Sequence, residues 1–410
     1  MMIALVSDEY PPATITGGIG TYSKALAELL ANSGEHEVHV FCQSDAIEKR
    51  SAGEQIHKVV ACGPRWRPAR IVYHRLIAPL FGPIEHRVRW GISAGNAVLA
   101  TERRLGRVFD VIEVPEAGGF GALLRLAGVN TAMLIRLHTS TTILRKHSRQ
   151  RPNLQDKLIG LLERWSIKNA DLVTSPTRAL VRESRNELGI NEQDCLVYPN
   201  LLPRVTISSG TTLKTGTGQR SVLVVGRLGN YKGTDLVLQA VGHLQGQEYP
   251  QLRLVLIGRS EWSREELEAM IARTLRPGTC ELLGEVHHSQ AIAAMRSATI
   301  LVQASRYDNY PNTILEAFLS GCLVVGSNIG GIPEIVTHQR TGLLFESGNA
   351  ESLESQIRWA LEHPEESARM ASSGTEWAHS ELSVSKSLNS VTNAYKKAKQ
   401  HADRRRRIFS

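Results

Sequence analysis

Two open α/β domains in tandem, each a parallel sheet covered by helices, are what this chain predicts, and three observations lead there. Its 410 residues exceed the roughly 250–300 at which one hydrophobic core stops growing. Short apolar, β-branched runs alternate with stretches of helical spacing throughout, the pattern of parallel strands joined by crossover helices. That alternation lapses once, over residues 206–219 (TISSGTTLKTGTGQ), where Thr, Ser and Gly give the composition of a linker. The expected division is 1–205, 206–380, and a helical, basic tail 381–410 packing back toward the first domain.

Residues 3–7 read as the opening strand. Tyr22, Ala25, Leu26, Leu29 and Leu30 then recur at helical spacing and stop at Gly34, an amphipathic helix with a glycine terminator. Further strands are expected at 38–42, 111–114, 132–138, 172–175 and 195–198. A long helix with Leu154, Leu158, Leu161, Leu162 and Trp165 on one stripe precedes the fourth of these. After the linker, strands are expected at 222–226, 252–258, 280–283, 300–303 and 323–327, and helix from 351 onward. Open parallel sheets bind ligands outside the carboxyl ends of their strands, so two in tandem direct attention to the cleft between them.

Composition excludes several classes. Hydrophobic residues at 42% and charged residues at 21% are ordinary globular usage. The five cysteines (42, 62, 195, 280, 322) are scattered, with no C-x-x-C pair, which fits a reducing cytoplasm. The apolar run Ile3 to Val6 is far short of an export leader, and no stretch approaches the roughly 18 residues of a membrane span. The net charge of +8 is unevenly placed. Between residues 65 and 107 stand nine arginines (Arg65, Arg67, Arg70, Arg75, Arg87, Arg89, Arg103, Arg104, Arg107) against Glu85 and Glu102, with Trp66, Phe81 and Trp90 interleaved. Such a segment suits an anionic lipid surface. No nucleic-acid motif accompanies it. Arg404 to Arg407 form a second cluster, and a solvated basic face is the plainer account of either.

The unusual residues fall mostly just after strands. Gly17-Gly18-Ile19-Gly20 lies ten residues past the first strand, too far and in the wrong order for a dinucleotide fingerprint. A long loop delivering glycines to a helix start could still offer backbone N–H groups to a phosphate or a sugar; helix-starting glycines without a ligand are the alternative. Gly226-Arg227-Leu228-Gly229-Asn230-Tyr231-Lys232-Gly233 follows a strand directly, placing two cations where they could neutralise a diphosphate. Finally, Asp308 and Glu316 stand eight residues apart within SRYDNYPNTILEA. One could accept sugar or ribose hydroxyls and the other steady charge at an anomeric carbon. The competing explanation is a capping box, Thr313 to Glu316. His287-His288 lacks further ligands at metal spacing, with Ser289 as the expected cap of the next helix.

In this order, Gly17-Gly18, His138 after a strand, GRLGNYKG, the two spaced carboxylates and Gly330-Gly331-Ile332-Pro333-Glu334 resemble the GT4 family of retaining glycosyltransferases, from Ile3 to about His363. The resemblance implies a GT-B fold: two Rossmann-like domains facing across a cleft, with a helical C-terminal tail. It implies that Arg227 and Lys232 hold the donor diphosphate, that Glu316 bonds the ribose hydroxyls, and that Asp308 stands next to the transferred sugar. The family usually has Glu at that first carboxylate position. His138 matches a histidine lining the donor sugar. Gly18, Val286, Asn312 and Thr313 would complete the donor site, largely through backbone groups, Pro311 having no N–H to give. Gly17, Glu113 and Glu116 would face the acceptor. Gly330-Gly331 would open a helix near the phosphates, with Glu334 supporting that turn.

The implied reaction moves a sugar from a UDP- or GDP-sugar to a glycan or polyprenyl-diphosphate-linked acceptor in cell-envelope polysaccharide or glycolipid synthesis. It proceeds by same-face attack, with the donor phosphate taking the acceptor's proton. No D-x-D occurs in the chain, and neither metal nor cofactor is expected. Lipid-linked acceptors would place the protein on the inner face of the cytoplasmic membrane, docked through the 65–107 segment, so charge reversal of Arg87 and Arg89 should weaken vesicle binding. A nucleotide-sugar epimerase and a non-catalytic sugar-nucleotide binder are the alternatives.

Overall fold

The computed structural model describes residues 1–11, 17–43, 53–60, 78–147, 151–202 and 220–409. The chain forms two compact units: Met1–Arg204 together with Val384–Ser410, and Val205–Ser383. Residues 206–219, read as the linker, lie outside the described residues.

The first unit is built on seven parallel strands: β1 (Met2–Val6), β2 (Glu37–Cys42), β3 (Gln55–Lys58), β4 (Val111–Pro115), β5 (Ala132–Arg136), β6 (Leu172–Ser175) and β7 (Cys195–Val197). Their order is β3-β2-β1-β4-β5-β6-β7. β1, β4 and β5 are buried along their whole length, as expected of parallel strands covered on both faces. The order reverses between β1 and β4, and a sheet of this kind opens its ligand crevice at that point. β3 was not expected: Gln-Ile-His-Lys at the sheet's edge has too little apolar character to announce a strand.

Helix Gly18–Asn32 turns Tyr22, Ala25, Leu26 and Leu30 into the core, and the chain turns at Gly34, φ 70°, as its spacing predicts. Helix Leu154–Lys168 corrects the expectation for that segment. Leu154 is 66% exposed and Leu161 58%, while the buried face carries Asp156, Ile159, Gly160, Glu163, Ser166 and Ile167. The inward polar groups have work to do: Glu163 accepts the Gly118 and Thr141 amides, each at 3.0 Å, and Ser166 accepts that of Ala122 at 2.8 Å. A hydrophobic stripe cannot reveal a helix whose buried side satisfies loop backbone.

The second unit has six parallel strands: β8 (Ser221–Val225), β9 (Arg253–Ile257), β10 (Cys280–Gly284), β11 (Ile300–Gln303), β12 (Leu323–Ser327) and the unexpected three-residue β13 (Leu343–Phe345). Their order, β10-β9-β8-β11-β12-β13, puts the reversal between β8 and β11. Helices Ala350–Glu362 and Pro364–Glu381 stay with this unit. Helix Val384–Phe409 returns to the first, burying Val391, Ala394, Tyr395, Ala398 and Ala402 completely in its core. No helix among the described residues is long and apolar enough to cross a membrane.

Candidate functional site

At the carboxyl edge of the second sheet, the loops after β8 and β11 meet. Gly233, φ 71°, ends the first loop, and a Cβ there would lie 2.0 Å from the Ala304 carbonyl oxygen, so only glycine lets the two loops approach. Arg306 donates to Asp235 through both nitrogens, at 2.7 and 2.6 Å, and its backbone N–H reaches the Tyr231 carbonyl at 2.9 Å. A bidentate pair of this kind fixes orientation as well as distance.

This clamp sets the geometry of the charged groups. Lys232 Nζ donates to Asp308 Oδ2 at 2.7 Å, and Gln303 Nε2 and Ser305 Oγ approach the same oxygen at 3.3 and 3.4 Å. Arg227, 67% exposed, stands 4.0 Å from Glu261. Each cation of the loop therefore faces a carboxylate. Gly330, φ 58°, crosses over the Asp308 carbonyl, which accepts the Gly331 N–H at 3.0 Å. The one-turn helix Ile332–Ile335 follows, with Glu334 in its first turn.

The capping-box explanation of Glu316 does not hold. Helix Asn312–Leu319 starts after Pro311, two residues earlier than that motif requires, so Glu316 lies beyond the first turn. Its Oε1 instead meets His288 Nε2 at 2.9 Å, the first residue of helix His288–Ser297. That helix is capped by the His287 side chain, not by Ser289. At the head of helix Asn312–Leu319, the Asn312 side-chain oxygen is buried and has no hydrogen-bond partner among the described residues. Thr313 follows in the same first turn, where N–H groups point out of a helix. Val286, half-buried, occupies the turn after β10.

The carboxyl edge of the first sheet is built differently. Glu9, just past β1, accepts the N–H groups of Gly17 and Gly20 at 3.1 and 3.3 Å. The amide of Gly17 is thus taken by the chain itself rather than left for a ligand, while Gly18, exposed, has open space around it. Glu9 was missed in the sequence because nothing in DEYPP marks it as the cap of a helix nine residues on.

His138 donates its backbone N–H to both oxygens of Glu116 at 2.8 Å. Its ring stands edge-on to Tyr22, with centroids 5.1 Å apart. Burial, with the Arg136 guanidinium as a lesser cause, pushes its pKa down to about 3, so the ring is neutral at physiological pH. Burial pushes Glu116 up to about 8, against the His138 hydrogen bond. Glu113 accepts Tyr22 Oη at 2.9 Å and Tyr395 Oη at 2.7 Å. Both glutamates are under 5% exposed. Both are turned inward and bonded to framework groups, Glu116 to the His138 amide and Glu113 to two tyrosine hydroxyls.

The basic segment is also revised. Residues 61–77 lie outside the described part. Trp90 is buried against Phe120, and Arg89 pairs with Glu85 at 2.7 Å. Arg87 lies against Gly118 and acts electrostatically on Asp8 and Glu163. Reversing Arg87 would disturb the loop frame of this edge, so it cannot serve as a clean test of vesicle binding. Arg103 and Arg104 remain exposed.

Two family models match the chain: "Glycosyl transferase 4-like domain" over residues 17–200 and "Glycosyl transferases group 1" over 212–377. A glycogen synthase of Mycobacterium tuberculosis is 25% identical over 382 residues, covering 90% of this chain and 88% of that protein. Sucrose-phosphate synthase from Thermosynechococcus elongatus superposes with a TM-score of 0.72 at 20% identity, over 100% of this chain and 99% of that one. HepE of Anabaena, solved in complex with UDP-glucose, gives 0.66 at 18% identity over 98% of both chains.

Proposed function

The chain belongs to the GT4-type group 1 glycosyltransferases and has their GT-B fold, and from that premise we propose that it is a retaining, metal-independent hexosyltransferase. Its donor is a UDP- or GDP-sugar, and its acceptor a glycan or lipid-linked saccharide of the cell envelope. The observation that carries this reading is the Lys232–Asp308 pair, with Arg227 and Glu316 on the same two stretches that follow β8 and β11, the strands at which the second sheet's order reverses and where α/β sheets take nucleotides. The UDP-glucose found with the Anabaena relative agrees with a nucleotide-sugar ligand.

The donor diphosphate draws Arg227 from Glu261 and Lys232 from Asp308, so the charge leaving with the nucleotide is met by cations already in place. Glu316 accepts the ribose hydroxyls. Backbone groups at Val286 meet the base, and Asn312 and Thr313, at a helix start, meet the diphosphate. As the bond from the anomeric carbon to the phosphate oxygen breaks, its electron pair goes to the diphosphate. The acceptor hydroxyl attacks the same face and passes its proton to a phosphate oxygen. Asp308, freed of Lys232, is proposed to stand next to the transferred sugar. His138, as a neutral ring, and Gly18 are proposed as further donor contacts. Contact with an anionic membrane at its cytoplasmic face, where the acceptor is lipid-linked, falls to Arg103 and Arg104.

The test is a thermal-unfolding screen with UDP-, GDP- and ADP-sugars, followed by NMR of the product. A rise in melting temperature with one donor and an anomeric configuration matching that donor are expected. An inverted product overturns retention; donor consumed to an isomerised sugar without acceptor favours an epimerase; no shift with any nucleotide sugar overturns the reading.

A further inference from the structure

The proposed ribose carboxylate does not stand alone, and its partner is a histidine to which the sequence assigned no role. Glu316 and His288 start from separate helices, 28 residues apart, and meet at 2.9 Å. The Glu316 side chain is only 14% exposed, that of His288 50%. A carboxylate that accepts two vicinal hydroxyls needs to be ionised and held in one rotamer. An Nε2–H donor on one oxygen does both, and leaves the other oxygen and the remaining lone pair for a ligand. We propose that His288 is the positioning residue of Glu316, and through it of recognition of the ribose diol of the donor nucleotide; the inference rests on the reading of Glu316 given above.

The electrostatics of this corner are simple. Helix His288–Ser297 packs on helix Asn312–Leu319 and on β8. β8 carries no titratable side chain, and the facing helix carries Glu316 alone. Nearby, Glu285 is engaged by Arg259 at 3.2 Å, and His287 is turned to Ser289 as a cap. On its own helix, Arg296 lies in the last turn. The Glu316 carboxylate raises the His288 pKa through their hydrogen bond, against partial burial. The favourable interaction is accordingly complete below the ordinary imidazole value of 6.5 and is lost as pH rises through the raised value. Ribose recognition should weaken over that same rise.

The experiment measures binding of UDP, GDP and ADP by calorimetry, takes the tightest, and follows its Kd from pH 6 to 9 in the full-length protein. His288→Ala is expected to weaken binding about threefold to tenfold at pH 6 with kcat unchanged, and to flatten the pH dependence. His288→Gln, which keeps an N–H donor, should restore most of the affinity while staying flat. With the 2′,3′-dideoxy form of the same nucleotide, parent and His288→Ala should bind alike. Equal ribonucleotide affinity and pH dependence in parent and His288→Ala overturns the inference, as does an equal loss with the dideoxy nucleotide. Glu316→Ala separates the two levels. If it binds like the parent, the ribose assignment itself fails; if it loses affinity while both His288 variants do not, only the role of His288 fails.

Discussion

The two units share one sheet order across their shared positions and spend their carboxylates in opposite ways. At the edge of the second sheet, acids face side-chain donors: Asp308 with Lys232, Glu261 with Arg227, Glu316 with His288. Side-chain pairs of this kind are exchangeable, since an incoming anion can replace the acid. At the edge of the first sheet, acids face backbone. Glu9 holds Gly17 and Gly20, Glu116 holds His138, and Glu163 holds Gly118 and Thr141. These bonds shape loops and have nothing to trade. One fold thus carries side-chain pairs of acid and donor at one edge and acid-to-amide bonds at the other.

The comparison breaks most visibly at Lys232. Lys232→Ala should lower kcat by about a hundredfold to a thousandfold, as loss of one preorganised charge does at other sites, with little change in melting temperature; an initial-rate assay with the donor found by screening decides it. Next comes the close approach of the two loops. Gly233→Ala puts a Cβ on a residue already at positive φ and against the Ala304 carbonyl oxygen, and is expected to cost at least about 2 kcal/mol of unfolding free energy in urea.

On the other edge, Glu116→Ala leaves the His138 amide buried without its acceptor, and should cost about 1–3 kcal/mol. Glu116→Gln should be tolerated. The folded protein holds the Glu116 proton up to about pH 8, so this contribution is whole below the ordinary glutamate value and is lost as pH rises through 8. Urea titrations at pH 6 and 9 should show that loss in the parent and a smaller one in Glu116→Gln. Smallest is Tyr395→Phe, which takes one of two donors from Glu113 and should lower stability by about 1 kcal/mol without altering nucleotide affinity.

Most strands were legible because buried parallel strands are runs of Val, Ile and Leu, and such runs stand out. β3 and β13 were not, one being a polar edge strand and the other three residues long. The loops holding Arg227, Lys232 and Asp308 could be read because they follow strands directly. What the sequence withheld is pairing across distance. His288 looked like an isolated histidine, and the inward face of helix Leu154–Lys168 looked like its outside, because Glu163 and Ser166 serve amides 22 to 45 residues away. The Thr313–Glu316 pattern misleads for a local reason: Pro311 moves the helix start two residues upstream.

Helix Val384–Phe409 leaves the second unit to complete the core of the first. On a ribosome this reverses the usual sequence of events, in which the amino-terminal domain matures before later ones emerge. Here the second sheet can close while the first still waits for Tyr395 and its neighbours. A chain stopped between Ser383 and Tyr395 holds every residue of the second unit and leaves the first without the side chains that complete its core.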